Sequence, residues 1–219
     1  MALISDPLGI AGLVSRELRA GERDGVPTRI VVARREYATD IADLWNALTD
    51  PERIPRWFLP ISGELTPGGR YALTGNASGT IESCDAPHRF SLTWEAMGQV
   101  SWVAVTLEPA ERGTVMQLEH EASVDPGFWS TFGPGAVGIG WDGALMGLGL
   151  YLESGTSADP SDVAAFPFTD EGRVFHRAAS DGWTEAAISG GEDPEAMREA
   201  GDRAYAFYTT LPEGTDAPE

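Results

Sequence analysis

The chain has 219 residues, 42% of them hydrophobic and 22% charged, a balance that suits a globular core and excludes a wholly disordered chain. All 15 cationic residues are arginine, which excludes a Schiff-base lysine, a phosphate-loop lysine and a lysine general base. The net charge of −19 argues against nucleic acid as a partner, because phosphates would be repelled over most of the surface.

Asp6 to Leu18, with Pro7 and the apolar Leu8, Leu13, Val14 and Leu18, predicts a short N-terminal helix. Ala20 to Pro27 is rich in glycine and charge and reads as a linker. These pieces make up a first region, residues 1–27. Arg29 to Ala33 is β-branched and strand-like. In Asp40 to Leu48, Ile41, Leu44, Trp45 and Leu48 recur at helical spacing, and Asp50-Pro51 opens a second short helix ending near Trp57. Five strands follow: Arg70–Thr74, Gly79–Cys84, Arg89–Ala96, Val100–Glu108 and Thr114–Ala122. The short turns between them imply an antiparallel meander. Ala136 to Glu153 is apolar throughout and long enough for a helix, although its five glycines require it to be packed.

The main domain is therefore expected over 28–153, and Ser154 to Ser161 marks its end. From Glu153 onward, 15 acidic residues stand against 4 arginines, so −11 of the −19 lies in this last third, −10 of it in an acidic extension, 154–219. Asp170–Ser189 and Asp193–Tyr208 read as amphipathic helices separated by Gly190-Gly191, an α-hairpin. Three roles are open to it: covering a cavity mouth, making a homodimer or partner contact, or packing on the outer face of the sheet.

No apolar run approaches the roughly 20 residues of a bilayer span, so membrane insertion is not expected. The N-terminus shows no basic leader and no clear cleavage site, and the lone Cys84 forbids an intrachain disulfide. Together these give a cytoplasmic expectation. His88, His120 and His176 are too scattered for a metal site, no G-x-S-x-G elbow anchors a triad, and the glycines from 133 to 143 lack a nucleotide-loop context. No cofactor is expected.

A curved sheet gripping one long helix satisfies this order of elements, since each has an apolar face to bury. Tyr37-Ala38-Thr39-Asp40 leads into LWNALTDPERIPRWF, and the turn PGGRY, PHRFSLTW, GTVMQLEH and GWDGALMGLGLYLE follow in order. These motifs resemble the SRPBCC (START-like, helix-grip) superfamily, in its branch of heat-shock ATPase-activator homologues. The resemblance implies an α+β helix-grip fold: a curved antiparallel sheet wrapped around a long C-terminal helix. A short N-terminal helix and a C-terminal α-hairpin would be additions to it.

The resemblance further implies a cavity between sheet and helix for a hydrophobic or aromatic small molecule. Alternation turns Met116, Leu118 and His120 inward on the last strand, Val103, Val105 and Leu107 on the one before, and Phe90, Leu92 and Trp94 on a third. Trp57 and Phe58, Phe128, Trp129 and Phe132 in a loop, and Trp141 and Met146 on the helix are placed to close the mouth. The ligand set is thus Trp57, Phe58, Trp94, Val105, Met116, Leu118, His120, Phe132, Trp141 and Met146. Taken singly, each aromatic among them reads first as plain core, and the cavity rests on the resemblance together with the glycine-rich helix.

His120, in an apolar phase, is either a base or ligand-fixing group, or a core histidine satisfied by a neighbour. Asp142 is either solvated or turned to the cavity and paired with Arg70 or His120. Arg34, Arg35 and Glu36 read as a solvated strand edge. Three functions follow. The first is a ligand-binding protein; the second is a polyketide cyclase or aromatase-type enzyme using His120, Asp142 or Arg70 as acid or base. The third is a chaperone-associated interaction protein.

Overall fold

The computed structural model describes residues 3–211. A first helix, α1 (Pro7–Gly12), is capped by the Asp6 carboxylate, which accepts from the Gly9 amide at 2.9 Å. The helix stops there. Strand β1 (Ser15–Arg23) turns through Asp24-Gly25 into β2 (Val26–Tyr37), both turn residues having positive φ, 52° and 79°. That is the geometry of a two-residue hairpin loop. The expected helix end and linker are therefore a β-hairpin. Asp-Gly is its sequence signal, but β1 carries charge on both faces, which hides its alternation.

Helix α2 (Ile41–Thr49) begins at Asp40, whose side chain accepts from the Asp43 amide. The second expected helix is only a 3-10 turn, Ile54–Arg56. Then come β3 (Ile61–Gly63), not foreseen, β4 (Arg70–Leu73), β5 (Ala77–Asp85), β6 (Arg89–Ala96), β7 (Gln99–Ala110) and β8 (Gly113–Ser123). The expected loop around Phe128 to Phe132 is a helix, α3 (Pro126–Phe132), and the long apolar segment is α4 (Gly135–Ser154). Gly155, at φ 67°, closes α4 in the left-handed conformation that glycine adopts most readily. The extension contains α5 (Pro160–Ala165), α6 (Asp170–Ser189) and α7 (Pro194–Thr209).

Among the described residues the eight strands form one antiparallel sheet in the order β1-β2-β8-β7-β6-β5-β4-β3. A register shift between Ile81 and Ser83 adds bend on the β5 side. The concave face holds Val31, Ala33, Val105 and Leu118 with Leu145 and Leu148 of α4 in one core. The convex face carries ion pairs instead, among them Arg19 with Glu119 and Arg70 with Glu95. This is the helix-grip fold.

The extension packs on the core, and it does so on the concave side rather than the outer face. Helix α6 lies against α4 and β1, with Trp183 fully buried in the same core as Leu18 and Ala33. Gly138 of α4 makes this approach possible: a methyl there would stand 2.3 Å from the Trp183 ring. Arg35 also departs from expectation. It belongs to the inward phase of β2, is 5% exposed, and donates to the Leu145 carbonyl at 2.9 Å.

Candidate functional site

Between the sheet and the segment from α2 to Phe58 lies an apolar chamber of about 350 Å³, which α4 meets through Trp141 rather than roofing it as expected. Its floor is Leu92, Val105, Met116 and Leu118, one inward phase running across three neighbouring strands, and Trp57 and Phe58 form a side. Their rings stack at 5.4 Å. The polar atoms nearby are spoken for: Trp57 Nε1–H donates to the Ala47 carbonyl at 2.9 Å and the Tyr71 hydroxyl to the Thr93 carbonyl at 2.8 Å. An occupant of this chamber meets almost only carbon.

One end of the chamber is a wall of three rings. Trp94 and Trp141 have centroids 5.2 Å apart, and His120 stands 6.0 Å from Trp94 and 5.9 Å from Trp141. A hydrogen-bond relay fixes it. Trp141 Nε1–H donates to His120 Nδ1 at 3.0 Å, and His120 Nε2 lies 2.7 Å from Ser101 Oγ. An indole only donates, so Nδ1 carries the lone pair and the neutral ring's proton sits on Nε2, donating to Ser101. Ser101 in turn donates to the Trp94 carbonyl at 3.1 Å. Burial pushes the imidazole down to about 4, so it is neutral near pH 7. With both nitrogens engaged, His120 stiffens the wall and has no lone pair to offer a substrate.

The chamber thus brings together Trp57, Phe58, Trp94, Val105, Met116, Leu118 and Trp141 from the expected set, while His120 stands behind Trp94 and Trp141 and lines a neighbouring space instead. Phe132 and Met146 do not join them. Phe132 lies on α3 and packs on Phe128 and Phe207, with centroids at 5.4 and 5.5 Å. Met146 points from the back of α4 into a satellite core with Ile4, Ala11, Phe166 and Phe175.

The expected acid–base group does not converge either. Arg70 is exposed and pairs with Glu95 at 2.8 Å on the convex face. Asp142 is neither solvated nor near His120. It is 1% exposed on the back of α4, where its Oδ2 accepts from Arg16 Nε at 3.0 Å and Trp183 Nε1 at 2.9 Å. Desolvation raises its carboxyl to about 6, against the pull of Arg16. Arg16 also donates to the Val14 and Ala11 carbonyls, tying α1, β1, α4 and α6 together. No cluster of metal-ligating side chains occurs among the described residues. Ser101, outside the expected set, shares the inward phase of β7 with Val103 and Val105; that phase is its only sequence signal.

A family model described as "Activator of Hsp90 ATPase homolog 1-like protein" matches residues 38–153, more than half of the chain. The chain belongs to this family. Among solved structures, CalU16 from Micromonospora echinospora is 31% identical in its solution NMR form. That match covers 81% of this chain and 96% of that one at a TM-score of 0.68. The crystal form of CalU16 gives 28% identity, 80% and 98% coverage and a TM-score of 0.63. The likeness to CalU16 therefore reaches beyond the segment that defines the family. DynU16, described as a protein in the dynemicin biosynthetic locus, shares the fold at 22% identity, 58% and 48% coverage and a TM-score of 0.52. No protein of the curated set matches the chain. No helix of the described residues is long and apolar enough to cross a membrane.

Proposed function

We propose that the protein binds an uncharged, hydrophobic or aromatic small molecule in the chamber between the sheet, α2 and Trp141, without covalent chemistry. The observation that carries this reading is the lining: the side chains facing the space are almost all hydrocarbon or aromatic, and the neighbouring Trp57 and Tyr71 polar atoms bond elsewhere. Apolar contact and shape are what such a site has to offer. The lone Cys84 fits a reducing, cytoplasmic setting.

A cyclase or aromatase would route proton transfer through His120, Asp142 and Arg70. That reading has less support, because Asp142 and Arg70 lie away from the chamber and from each other. The chaperone-associated reading has only the family's description behind it.

The test is titration with 1-aminoanthracene, followed by its fluorescence. Saturable binding that falls at least tenfold in Leu92→Trp, with the circular dichroism spectrum retained, is the expected result. Absence of saturable binding, or equal binding by a folded Leu92→Trp variant, overturns the reading.

A further inference from the structure

Behind the three-ring wall lies a second chamber, of about 410 Å³. It is bounded by the β6–β7 turn, the ends of β2 and β8, α3 and the start of α4. Trp94 borders both spaces, Trp45 and Trp57 only the first, and Trp129 only the second.

Its chemistry differs from that of the first. Ser101 Oγ accepts from His120 and donates to the Trp94 carbonyl, which leaves it one free lone pair. Arg29, 5.6 Å from the centroid of Trp129, spends Nε and Nη2 on Glu192 at 2.9 and 2.8 Å. Its Nη1 makes only a 3.5 Å contact with the Thr28 carbonyl, so N–H capacity remains. An anion is disfavoured here, because Glu192 already balances Arg29 and the Asp125 carboxylate stands at the rim. A cation gains nothing from Arg29. What suits one spare acceptor, spare donors and two indole faces is a neutral group that both gives and takes a hydrogen bond and is carried on a flat ring.

The chamber also draws on parts of the chain outside the family segment. Arg29 lies before residue 38, and Glu192 lies in the extension. The α3 wall is held by Arg203 of α7, which donates to the Ser130 and Thr131 carbonyls at 3.0 and 2.8 Å. Through these contacts the N-terminal hairpin and the acidic extension build a space that the segment 38–153 does not form alone.

We propose that this chamber is a second, separate binding site, for a neutral hydroxylated aromatic compound. Its hydroxyl donates to Ser101 Oγ and its ring lies against Trp94 and Trp129. The site goes beyond the apolar-ligand reading and does not depend on it, since the wall of Trp94, Trp141 and His120 separates the two spaces.

Indole N–H resonances distinguish the two sites, with 2-naphthol and naphthalene as probes for the full-length protein. 2-Naphthol is expected to shift the Trp129 indole resonance saturably, and naphthalene to shift those of Trp45 and Trp57. Ser101→Ala should weaken 2-naphthol at Trp129 by about three- to tenfold, the value of one net hydrogen bond. Ala122→Phe, which places a ring on the chamber's lining opposite Ser101, should abolish the Trp129 response. Overturning results are a 2-naphthol response confined to Trp45 and Trp57, or a Trp129 response equally strong in a folded Ser101→Ala or Ala122→Phe variant. A Trp129 response without any naphthalene response would support the second site and overturn the apolar-ligand reading instead.

Discussion

The two faces of α4 bury themselves by opposite means. Toward β6–β8 the helix presents Trp141 to an open apolar chamber; toward the extension it closes on Trp183 and a buried ion pair with no room for a methyl at Gly138. An apolar space costs stability, because its lining atoms lack partners. A helix that borders one must be held from its other side. Helix α6 of the extension supplies that hold on α4, whatever its charge does in solution.

The largest effect should come from emptying the tight face. Trp183→Ala removes a fully buried indole and one of the two donors to Asp142, and should cost about 3–5 kcal/mol in chemical denaturation. A loss below 1 kcal/mol would mean that α6 does not brace α4. Arg16→Ala leaves the Asp142 carboxylate buried without its cation, and about 3–5 kcal/mol should be lost near pH 7. That deficit should shrink as pH falls toward 6, because without Arg16 the carboxyl takes up its proton at a higher pH than in the wild type. A deficit that is independent of pH would show that Arg16 matters only for packing.

The two faces should also titrate in opposite senses. His120 is held neutral down to about 4, against an ordinary 6.5, so its contribution is complete above pH 6.5 and is lost as pH falls toward 4. Asp142 is raised to about 6 from 3.8, so its contribution is complete below pH 4 and is lost as pH rises through 6. Each effect is about 3 kcal/mol, and between pH 4 and 6 they largely cancel. Urea midpoints of His120→Gln should therefore rise on acidification relative to the wild type, and those of Asp142→Asn should fall more steeply. Parallel pH profiles for all three proteins would contradict this assignment.

The smallest contrast lies within α4 itself. A methyl at Gly143 meets nothing within 4 Å, so Gly143→Ala should stabilise by up to about 1 kcal/mol through helix propensity. Gly138→Ala has the same propensity gain but forces the Trp183 ring to move, and should lower the melting temperature. Equal shifts in the two variants would erase the difference between the faces.

Much of this was legible in the sequence. The alternation in Thr114 to Ala122 and its neighbours placed Met116, Leu118, His120, Val105 and Trp94 on the concave face, because a strand has only two sides and one of them is apolar. The motif order from Tyr37 to Glu153 carried the fold, and the charge in the extension did not obscure the two helices of its α-hairpin. The chamber's aromatic side at Trp57 and Phe58 could be anticipated too. What alternation could not supply was the partner of each inward group. That Ser101 and Trp141 would close a relay on His120 depends on strand register and on how α4 is turned.

For α4 the sequence was silent for a physical reason: the helix is apolar all round, buried on both sides, so its period does not say which face meets the sheet. Met146 and Asp142 therefore fell behind it, and only the packing of α6 decided so. Arg16 and Leu18 share an inward phase that the charges on both faces of β1 concealed. Local pattern sets which residues must be buried or exposed; the tertiary structure sets what each buried group finds there, because those partners lie 126 residues away for Arg16 and Asp142 and 41 for Asp142 and Trp183.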